Sequence, residues 1–442
     1  MNSEWSSLTL KEAGVVLIDC DHRTPPAANE GYPYIAIPQL KNGHIALDGA
    51  RLISQADYID WTKKLKPQAN DVIVVRRCSS GDSAHVPAGL DCAIGQNLVI
   101  LRASGDRVLP SFLRWLLKGP QWWYQVSKFI NVGAVFDSLR CRDIPNFELT
   151  IPPLDQQAKI ASILGALDDR IILLRETNAT LEAIAQALFK SWFVDFDPVY
   201  AKAEGLEPEG LDPATAALFP DSFEETELGY VPRGWFVKPI GDAVECIGGG
   251  TPNTKDPSYW EPAEHAWTTP KDLSGLQSPV LLGTERKLST LGLAKVSSGL
   301  LPAGTLLLSS RAPIGYLAIA QIPIAVNQGY IAIPSGGDLS PLYLLFWCRL
   351  NMDGIKARAN GSTFMEISKK AFRPIPALVP SADVLAAFAN VAEPLFERLI
   401  KNERQAQILT QLRDILLPRL ISGQLRPPET QASLENMLSE AI

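Results

Sequence analysis

The chain has 442 residues, 46% of them apolar and 20% charged, so it is too long for one ordinary domain and can form sizeable cores. Its six cysteines are scattered and form no CxxC pair, which argues against a disulfide or zinc framework. There is no signal-like leader and no apolar stretch approaching 18 residues, so we expect a cytoplasmic protein without a membrane span.

The net charge of −7 is distributed unevenly along the chain. Residues 1–152 carry a net charge of +1 and residues 229–379 carry +4, whereas residues 153–228 carry −10. The overall acidity therefore does not exclude nucleic-acid binding by the two less acidic regions, although charge alone does not distinguish this from ordinary variation.

The first region, residues 1–152, is predicted to be a mixed, β-rich domain. Short β-branched runs bounded by Gly, Pro, Asp and Asn predict strands at VVLID (15–19), PYIAI (33–37), DVIVV (71–75) and NLVIL (97–101). One or two short helices are predicted within residues 111–130, and the aromatic run Trp122 to Tyr124 is interpreted as core rather than as a surface for stacking on bases.

A long helix is predicted over residues 153–193, after Pro152-Pro153 and with Asp155 as its N-cap. Its apolar residues recur at spacings of three and four, which is a heptad pattern interrupted by one asparagine. The seam positions are Ile160, Leu164, Leu167, Ile171, Leu174, Asn178, Leu181 and Leu188.

The same order of features then returns. Residues 194–228 read as an acidic connector, residues 229–379 as a second β-rich domain, residues 380–425 as a second long helix, and residues 426–442 as a flexible tail. The seam of the second helix contains Leu395, Leu399, Asn402, Leu409, Leu416 and Leu420.

An internal repeat relates the two halves of the chain. Residues 132–176 align with residues 360–404 without a gap, at an offset of 228. Further upstream the offset drifts, and DVIVVRR (71–77) aligns with GTLLLSS (304–310) and GQNLVIL (95–101) with NQGYIAI (327–333).

Neither helix can bury its apolar stripe alone, so we predict that the two helices pair. In an antiparallel pair with a constant sum of residue numbers, Asn178 would face Asn402, and a polar pair of this kind fixes register. The alternative is that each helix packs only on its own β domain.

Motifs for catalysis are missing from the sequence. No P-loop exists, GGGTP (248–252) is interpreted as a turn, and the triplet Glu285-Arg286-Lys287 lacks a supporting strand context. The four histidines are isolated and form no metal-binding motif. We therefore expect no catalytic residue and no metal site in this chain.

Three segments carry a resemblance to a known family. LGYVPRGWFVKPIGDAVECIGGGTP (228–252), IPPLDQQAKIASIL (151–164) and ISGQL (421–425) resemble landmarks of the specificity subunits of type I restriction–modification systems. The resemblance covers nearly the whole chain. It departs from the family pattern at Gln156, where a Glu is usual, and at PSADVLAAF (380–388) in the second copy.

The resemblance implies an α+β fold in which two target-recognition domains are separated by two long antiparallel helices that form a coiled-coil spacer. Each domain would read one half of a bipartite site in double-stranded DNA. The helices would dock two modification subunits, and motor–nuclease restriction subunits would join them. S-adenosylmethionine, ATP and Mg²⁺ are expected in those partners, with no cofactor in this chain.

Polar and basic residues in repeat-equivalent loops are the candidates for DNA contacts, because such side chains read base edges and bind phosphates. In the first domain they are Arg76, Arg77, Ser79, Ser80, Lys128, Asn131 and Arg140. In the second domain they are Lys271, Ser309, Ser310, Arg311, Asn360, Ser362, Thr363, Lys369 and Lys370.

Two other classes of protein remain open at this point. One is a scaffold or adhesion-type protein whose two β domains bind protein or carbohydrate, with the helices as a rod. The other is a stand-alone nuclease, against which the missing metal and nucleotide motifs argue.

Overall fold

The computed structural model describes residues 5–133, 136–361 and 365–426. These residues form two compact units, one from the described parts of 1–170 and 408–442 and the other from residues 171–407. Both long helices contribute a segment to each unit, so the units divide within the helices. The predicted tail, apart from Arg426, lies outside the described residues.

The first unit contains the first β-rich domain. Its strands are β1 (Ser6–Thr9), β2 (Val15–Asp19), β3 (Tyr32–Ile35), β4 (Leu40–Lys41), β5 (His44–Ile45), β6 (Arg51–Ile53), β7 (Val72–Val75), β8 (Ser83–His85), β9 (Ala93–Ile94), β10 (Leu98–Ala103) and β11 (Glu148–Ile151). Its helices are α1 (Gln55–Thr62), α2 (Pro110–Leu116), α3 (Pro120–Phe129) and the start of α4 (Leu154–Phe193). The main sheet has the order β2-β10-β7-β8.

The second unit contains the second β-rich domain. After α5 (Asp197–Ala203) and α6 (Pro213–Ala217) its strands are β12 (Phe223–Thr226), β13 (Gly229–Pro232), β14 (Phe236–Pro239), β15 (His265–Thr268), β16 (Val280–Leu281), β17 (Arg286–Leu288), β18 (Leu306–Ser309), β19 (Leu317–Ala320), β20 (Ala325–Val326), β21 (Tyr330–Ile333) and β22 (Pro376–Val379). Its further helices are α7 (Ile240–Ala243), α8 (Pro270–Leu273), α9 (Thr290–Leu293), α10 (Pro341–Leu350), α11 (Met352–Ala357), α12 (Lys369–Phe372) and the start of α13 (Ala382–Ile421). The main sheet has the order β16-β19-β18-β21.

Strand pairing confirms the internal repeat. In the first domain β7 lies antiparallel between β8 and β10, and in the second β18 lies antiparallel between β19 and β21. In each domain the strand that follows a tryptophan near the start, Trp5 or Trp235, pairs with the strand that precedes the long helix, β1 with β11 and β14 with β22. Each domain therefore brings its two ends together at the start of a long helix.

The predicted connector and the predicted helix start both differ in detail from the structure. Residues 194–228 contain α5, α6 and β12, and Phe219 is 2% exposed within the aromatic core of the second unit. The connector is therefore a packed segment. Helix α4 begins at Leu154, so Asp155 lies in the first turn and is not the residue before the helix.

The seam positions of the two long helices are mostly buried. Leu181, Leu188 and Leu395 are half-buried. The positions exposed by 8% or less are Ile160, Leu164, Leu167, Ile171, Leu174, Asn178, Leu399, Asn402, Leu409, Leu416 and Leu420.

Contacts within the second unit give the direction of the helices there. Asn402 Nδ2 donates to Asn178 Oδ1 at 3.0 Å, and Asn178 Nδ2 lies 3.3 Å from the carbonyl oxygen of Leu399. The rings of Phe189 and Phe193, further along α4, contact Phe388, which is earlier in α13. Residue numbers rise along one helix as they fall along the other, so these segments are antiparallel and the predicted asparagine pair forms.

An aromatic cluster joins the helices to the second β domain. Phe189, Phe193 and Phe388 contact Tyr343 of α10, with ring centroids 4.8 to 6.4 Å apart in tilted or edge-on arrangements. Aromatic pairs in such geometries add stabilisation beyond the area that they bury. The second β domain is therefore fixed to its helix segments mainly by apolar contacts.

In the first unit Trp5 contacts both the start of α4 and the segment that follows α13. Trp5 Nε1 donates to Gln156 Oε1 at 3.0 Å, and the Trp5 ring lies against Gly423, beyond the end of α13. The neighbouring Gln157 is fully buried; it accepts a hydrogen bond from the Leu109 amide and donates to the carbonyls of Arg107 and Pro152. These side chains attach the start of α4 to the first β domain.

Charged groups replace the aromatic cluster in the first unit. Asp168 of α4 is 1% exposed, and it lies 2.6 Å from Arg413 of α13, 3.2 Å from His44 and 3.5 Å from Arg114. Burial alone would raise the pKa of this carboxyl, but the hydrogen bond from His44 and the charges around it hold the pKa well below its usual range. Asp168 therefore balances buried positive charge at this junction.

His85 belongs to the same junction and is favoured in its neutral form. Its Nδ1 lies 3.2 Å from the carbonyl oxygen of Gly43, and its Nε2 lies 3.0 Å from Arg114 Nη1. These partners assign a proton to Nδ1 and leave Nε2 as an acceptor. Burial, followed by the charge of Arg114, lowers the pKa of His85 to about 4.

Within the described ranges, no helix combines the length and the apolar character that crossing a membrane would require.

The asparagine pair leads to a prediction about stability. Asn178→Ala leaves the buried Asn402 amide without its partner, so we expect it to destabilise the chain by about 1–3 kcal/mol. The double variant Asn178→Leu/Asn402→Leu removes both polar groups and should recover most of this loss or exceed the native stability. Thermal and urea unfolding of the full chain measure both effects.

Lys401→Ala is the control, because Lys401 is the exposed neighbour of Asn402 and its loss should change stability by less than about 0.5 kcal/mol. A single variant as stable as the native chain would contradict a structural role for the asparagine pair.

The low pKa of His85 predicts that the first unit loses stability in acid. Between pH 6.5 and about 4 the unfolded histidine binds a proton that the folded one does not, so stability falls with pH through this window, by up to about 3 kcal/mol. His85→Gln should remove this component. Amide hydrogen exchange of β7 and β10 measures it, with β18 and β21 of the second unit as the internal control, and an unchanged pH dependence in the variant would contradict the assignment.

Candidate nucleic-acid interface

The loop after β7 forms one side of the candidate interface in the first domain. The Arg76 amide donates to the carbonyl of Asn97 at 2.8 Å, and the Gly81 amide returns to the carbonyl of Val75 at 2.9 Å. Cys78 and Gly81 turn the chain with φ values of +71° and +99°. A side chain at Gly81 would also meet Val126 at 2.9 Å, so glycine is required at this close approach.

The segment before the short 3-10 helix Ile144–Asn146 completes this side of the interface. The Leu139 amide donates to the carbonyl of Arg76 at 2.8 Å, while Ser138 bridges to Arg77 on one side and to Asn131 on the other. The loop after β7 and residues 131 and 137–139 thus form one hydrogen-bonded unit, which we call the first rim.

The second domain builds the same unit from different side chains. The Ser310 amide donates to the carbonyl of Gly329 at 2.8 Å, and the Ile367 amide donates to the carbonyl of Ser310 at 3.0 Å. Glu366 bridges to Arg311 on one side and to Asn360 on the other. Residues 310–316, 360, 366 and 367 are the second rim.

The two rims correspond position by position, which corrects the sequence alignment. Val75 corresponds to Ser309 and Arg77 to Arg311, an offset of 234, where the sequence alignment placed Arg77 on Ser310. Ala312 has a φ of +55° at the position of Cys78, and Gly315 has +110° at the position of Gly81. Ser138 corresponds to Glu366 at the offset of 228 residues, whereas Asn131 corresponds to Asn360 at an offset of 229. The gapless alignment of the two copies therefore ends between these two positions.

Several of the predicted contact residues are exposed on or next to the rims. In the first domain these are Arg77, Ser79, Lys128 and Arg140, with Arg76 and Asn131 half-buried. In the second they are Lys271, Asn360, Lys369 and Lys370, with Arg311 half-buried. Ser362 and Thr363 lie outside the described residues.

Three predicted contact residues are buried, and the hydroxyls of two of them hold the loops in place. Ser80 Oγ donates to the carbonyls of Arg76 and Asp137 at 2.8 and 3.1 Å. Ser309 Oγ donates to the carbonyl of Pro313 and accepts from the Tyr316 amide, each at 2.8 Å. Ser310 is 3% exposed. Burial therefore removes these hydroxyls from the surface that a DNA duplex could touch.

Lys271 is exposed but is already paired with a carboxylate. Lys271, in α8, lies 2.8 Å from Glu285, the acid of the triplet considered in the sequence. Of the aromatic run, Trp122 is fully buried as predicted, whereas Trp123 and Tyr124 are 42% and 66% exposed, so the core interpretation is wrong for those two.

Sequence inspection missed a polar cluster beside the first rim. Asp19 ends β2, Cys20 and His22 follow it, and each of the three offers a ligand atom within 4.8 Å of the others. Burial and the neighbouring Asp19 raise the pKa of the Cys20 thiol, while the charge of Arg76 opposes this. A positive charge and a protonated thiol both disfavour cation binding. His22 therefore has partners, and the signal that could have found them is the local run Asp19-Cys20-Asp21-His22 in the sequence.

The comparisons with known proteins match both halves of the internal repeat. The family model of the type I restriction modification DNA specificity domain matches residues 2–183 and 232–415. The specificity subunit of the type I restriction enzyme HindI of Haemophilus influenzae is 28% identical over 382 residues, which cover 75% of this chain and 81% of that protein. The MjaIX specificity subunit of Methanocaldococcus jannaschii is 37% identical over 193 residues, 43% of this chain and 44% of that protein.

A solved structure shares the fold. The type I restriction–modification S subunit from M. genitalium superimposes with a TM-score of 0.55 over 95% of this chain and 97% of its own, at 17% identity. None of these matches supports a scaffold or adhesion protein. With the specificity-domain model matching both halves and one loop architecture built twice, the chain belongs to the type I restriction–modification DNA specificity family, as a specificity subunit with two target-recognition domains.

Proposed function

We propose that each β domain reads one half of a bipartite site in double-stranded DNA, through its rim. The observation that carries this proposal is the repeated rim, in which the same backbone hydrogen bonds present different side chains in the two domains. A constant backbone with variable side chains suits two readers of the same kind that recognise different sequences.

The long helices are proposed to act as a coiled-coil spacer that fixes the distance between the half-sites and docks two modification subunits. Each helix has 40 residues, so it is about 60 Å long. The asparagine pair supports a fixed register, because a polar pair in an apolar seam disfavours a shifted pairing. A fixed register is what a spacer needs if it sets a distance between two readers.

Catalysis is assigned to partner subunits. Motor–nuclease restriction subunits would join the modification subunits, and S-adenosylmethionine, ATP and Mg²⁺ would bind to those partners. The support in this chain is its sequence, which contains neither a P-loop nor a metal-binding motif. The chain would then contribute recognition and assembly.

Methylation mapping and DNA binding test this proposal together. The genome of the host is mapped for methylated bases with and without the gene for this chain, which should define a bipartite motif that disappears on deletion. The affinity of the full chain, assembled with its modification subunits, is then measured for duplexes with and without that motif.

We expect the affinity for the motif to fall steeply with salt, because the release of counterions from phosphates gives a linear dependence of log affinity on log salt concentration. Modification subunits alone are the control. A methylation pattern that survives deletion, or binding without sequence preference, would be incompatible with the proposed function.

A further inference from the structure

The two rims have diverged in sequence, yet one basic residue is the same in both. Arg77 and Arg311 occupy equivalent positions, each bridged to the segment that precedes the long helix. The neighbours of these arginines differ: Arg76 corresponds to Ser310, and Ser138 corresponds to Glu366.

The fold does not explain why arginine occupies this position. The Arg77 side chain is exposed and forms no hydrogen bond or ion pair with any other residue in the described ranges. Gly81 and Gly315 are also shared, but positive φ values and close contacts account for them. Asn131 is shared with Asn360, and its amide donates to the carbonyls of Phe129 and Ser138, so it has a role in the loop itself.

Two half-sites of different sequence have the phosphate backbone in common. A residue that both domains share should therefore contact the backbone, and residues that differ should contact bases. Space for such a contact exists beside Arg311, which lines an open cavity of about 520 Å³ together with Lys356 and Glu366.

We propose that Arg77 and Arg311 make the same phosphate contact in the two half-sites, and that Glu366 competes with that phosphate for Arg311. This rests on the proposed function. Glu366 Oε2 lies 3.6 Å from Arg311 Nη1, and both side chains are more than a third exposed. Ser138 stands at the same position in the first domain, so among the described residues no ion pair of Arg77 corresponds to that of Arg311 with Glu366.

The first experiment measures DNA affinity of the assembled full chain carrying Arg77→Ala or Arg311→Ala. The probes are the duplex defined by methylation mapping, the same duplex with single base changes, and an unrelated duplex, each across a range of salt concentrations. We expect each variant to weaken binding to all duplexes by a similar factor of about ten. The slope of log affinity against log salt should fall by about 1, with base preferences unchanged.

Arg77→Lys and Arg311→Lys separate a phosphate contact from a base contact. Lysine retains the point charge, so most of the affinity should remain, whereas a bidentate contact to guanine would be lost. Arg107→Ala and Arg233→Ala remove the same charge from exposed positions outside the rims and should leave the slope nearly unchanged.

A reciprocal exchange tests the competition by Glu366. Glu366→Ser should tighten binding to every duplex several-fold, and Ser138→Glu should weaken it several-fold, because a carboxylate beside the arginine repels a phosphate. Melting temperatures of all variants check that the fold is retained, since exposed ion pairs contribute little to stability.

The outcomes distinguish this inference from the function on which it rests. If Arg77→Ala or Arg311→Ala changes the preferred base at one position and leaves the salt slope intact, the phosphate assignment is overturned while the chain remains a sequence reader. If the exchange at positions 138 and 366 changes base preference, Glu366 reads a base and the competition is overturned. If the native assembly shows no sequence preference at all, the proposed function itself fails.

Discussion

The apolar seam of the two long helices is the constraint on which the rest of the structure depends. Neither helix can cover its stripe alone, so segments of both are present in each unit. In the first unit this brings the residues that follow α13 back to the first β domain, where Gly423 lies against Trp5. The first β domain is consequently packed against residues that lie far from it in the sequence.

The two β domains meet their helix segments through different chemistry. Phe189, Phe193 and Tyr343 form an aromatic contact in the second unit, whereas Asp168, Arg413 and Arg114 form a buried ionic one in the first. Aromatic packing is insensitive to pH, but a buried charge network responds to any change in protonation around it. The two halves of one repeat therefore differ in how their attachment responds to conditions.

The two rims share their backbone hydrogen bonds and differ in most of their side chains. Main-chain hydrogen bonds define both loops, and buried groups such as the Ser80 hydroxyl support them from below. Side chains that point outward can then change without loss of the loop. Under the proposed function, this is the physical reason that one architecture serves two different DNA sequences, and it accounts for the poor alignment of the domains in their β-rich parts.

The sequence by itself determined the module order, the approximate helix bounds, the central strands and the pairing of Asn178 with Asn402. These follow from local periodicity and from a gapless repeat, both of which are visible in a linear chain. It did not determine which polar residues face solvent, because the burial of Ser309 and Ser310 depends on strands far away in the chain. The one-residue shift that makes Arg77 equivalent to Arg311 also appeared only in space, since main-chain hydrogen bonds define that position while the side chains around it have diverged.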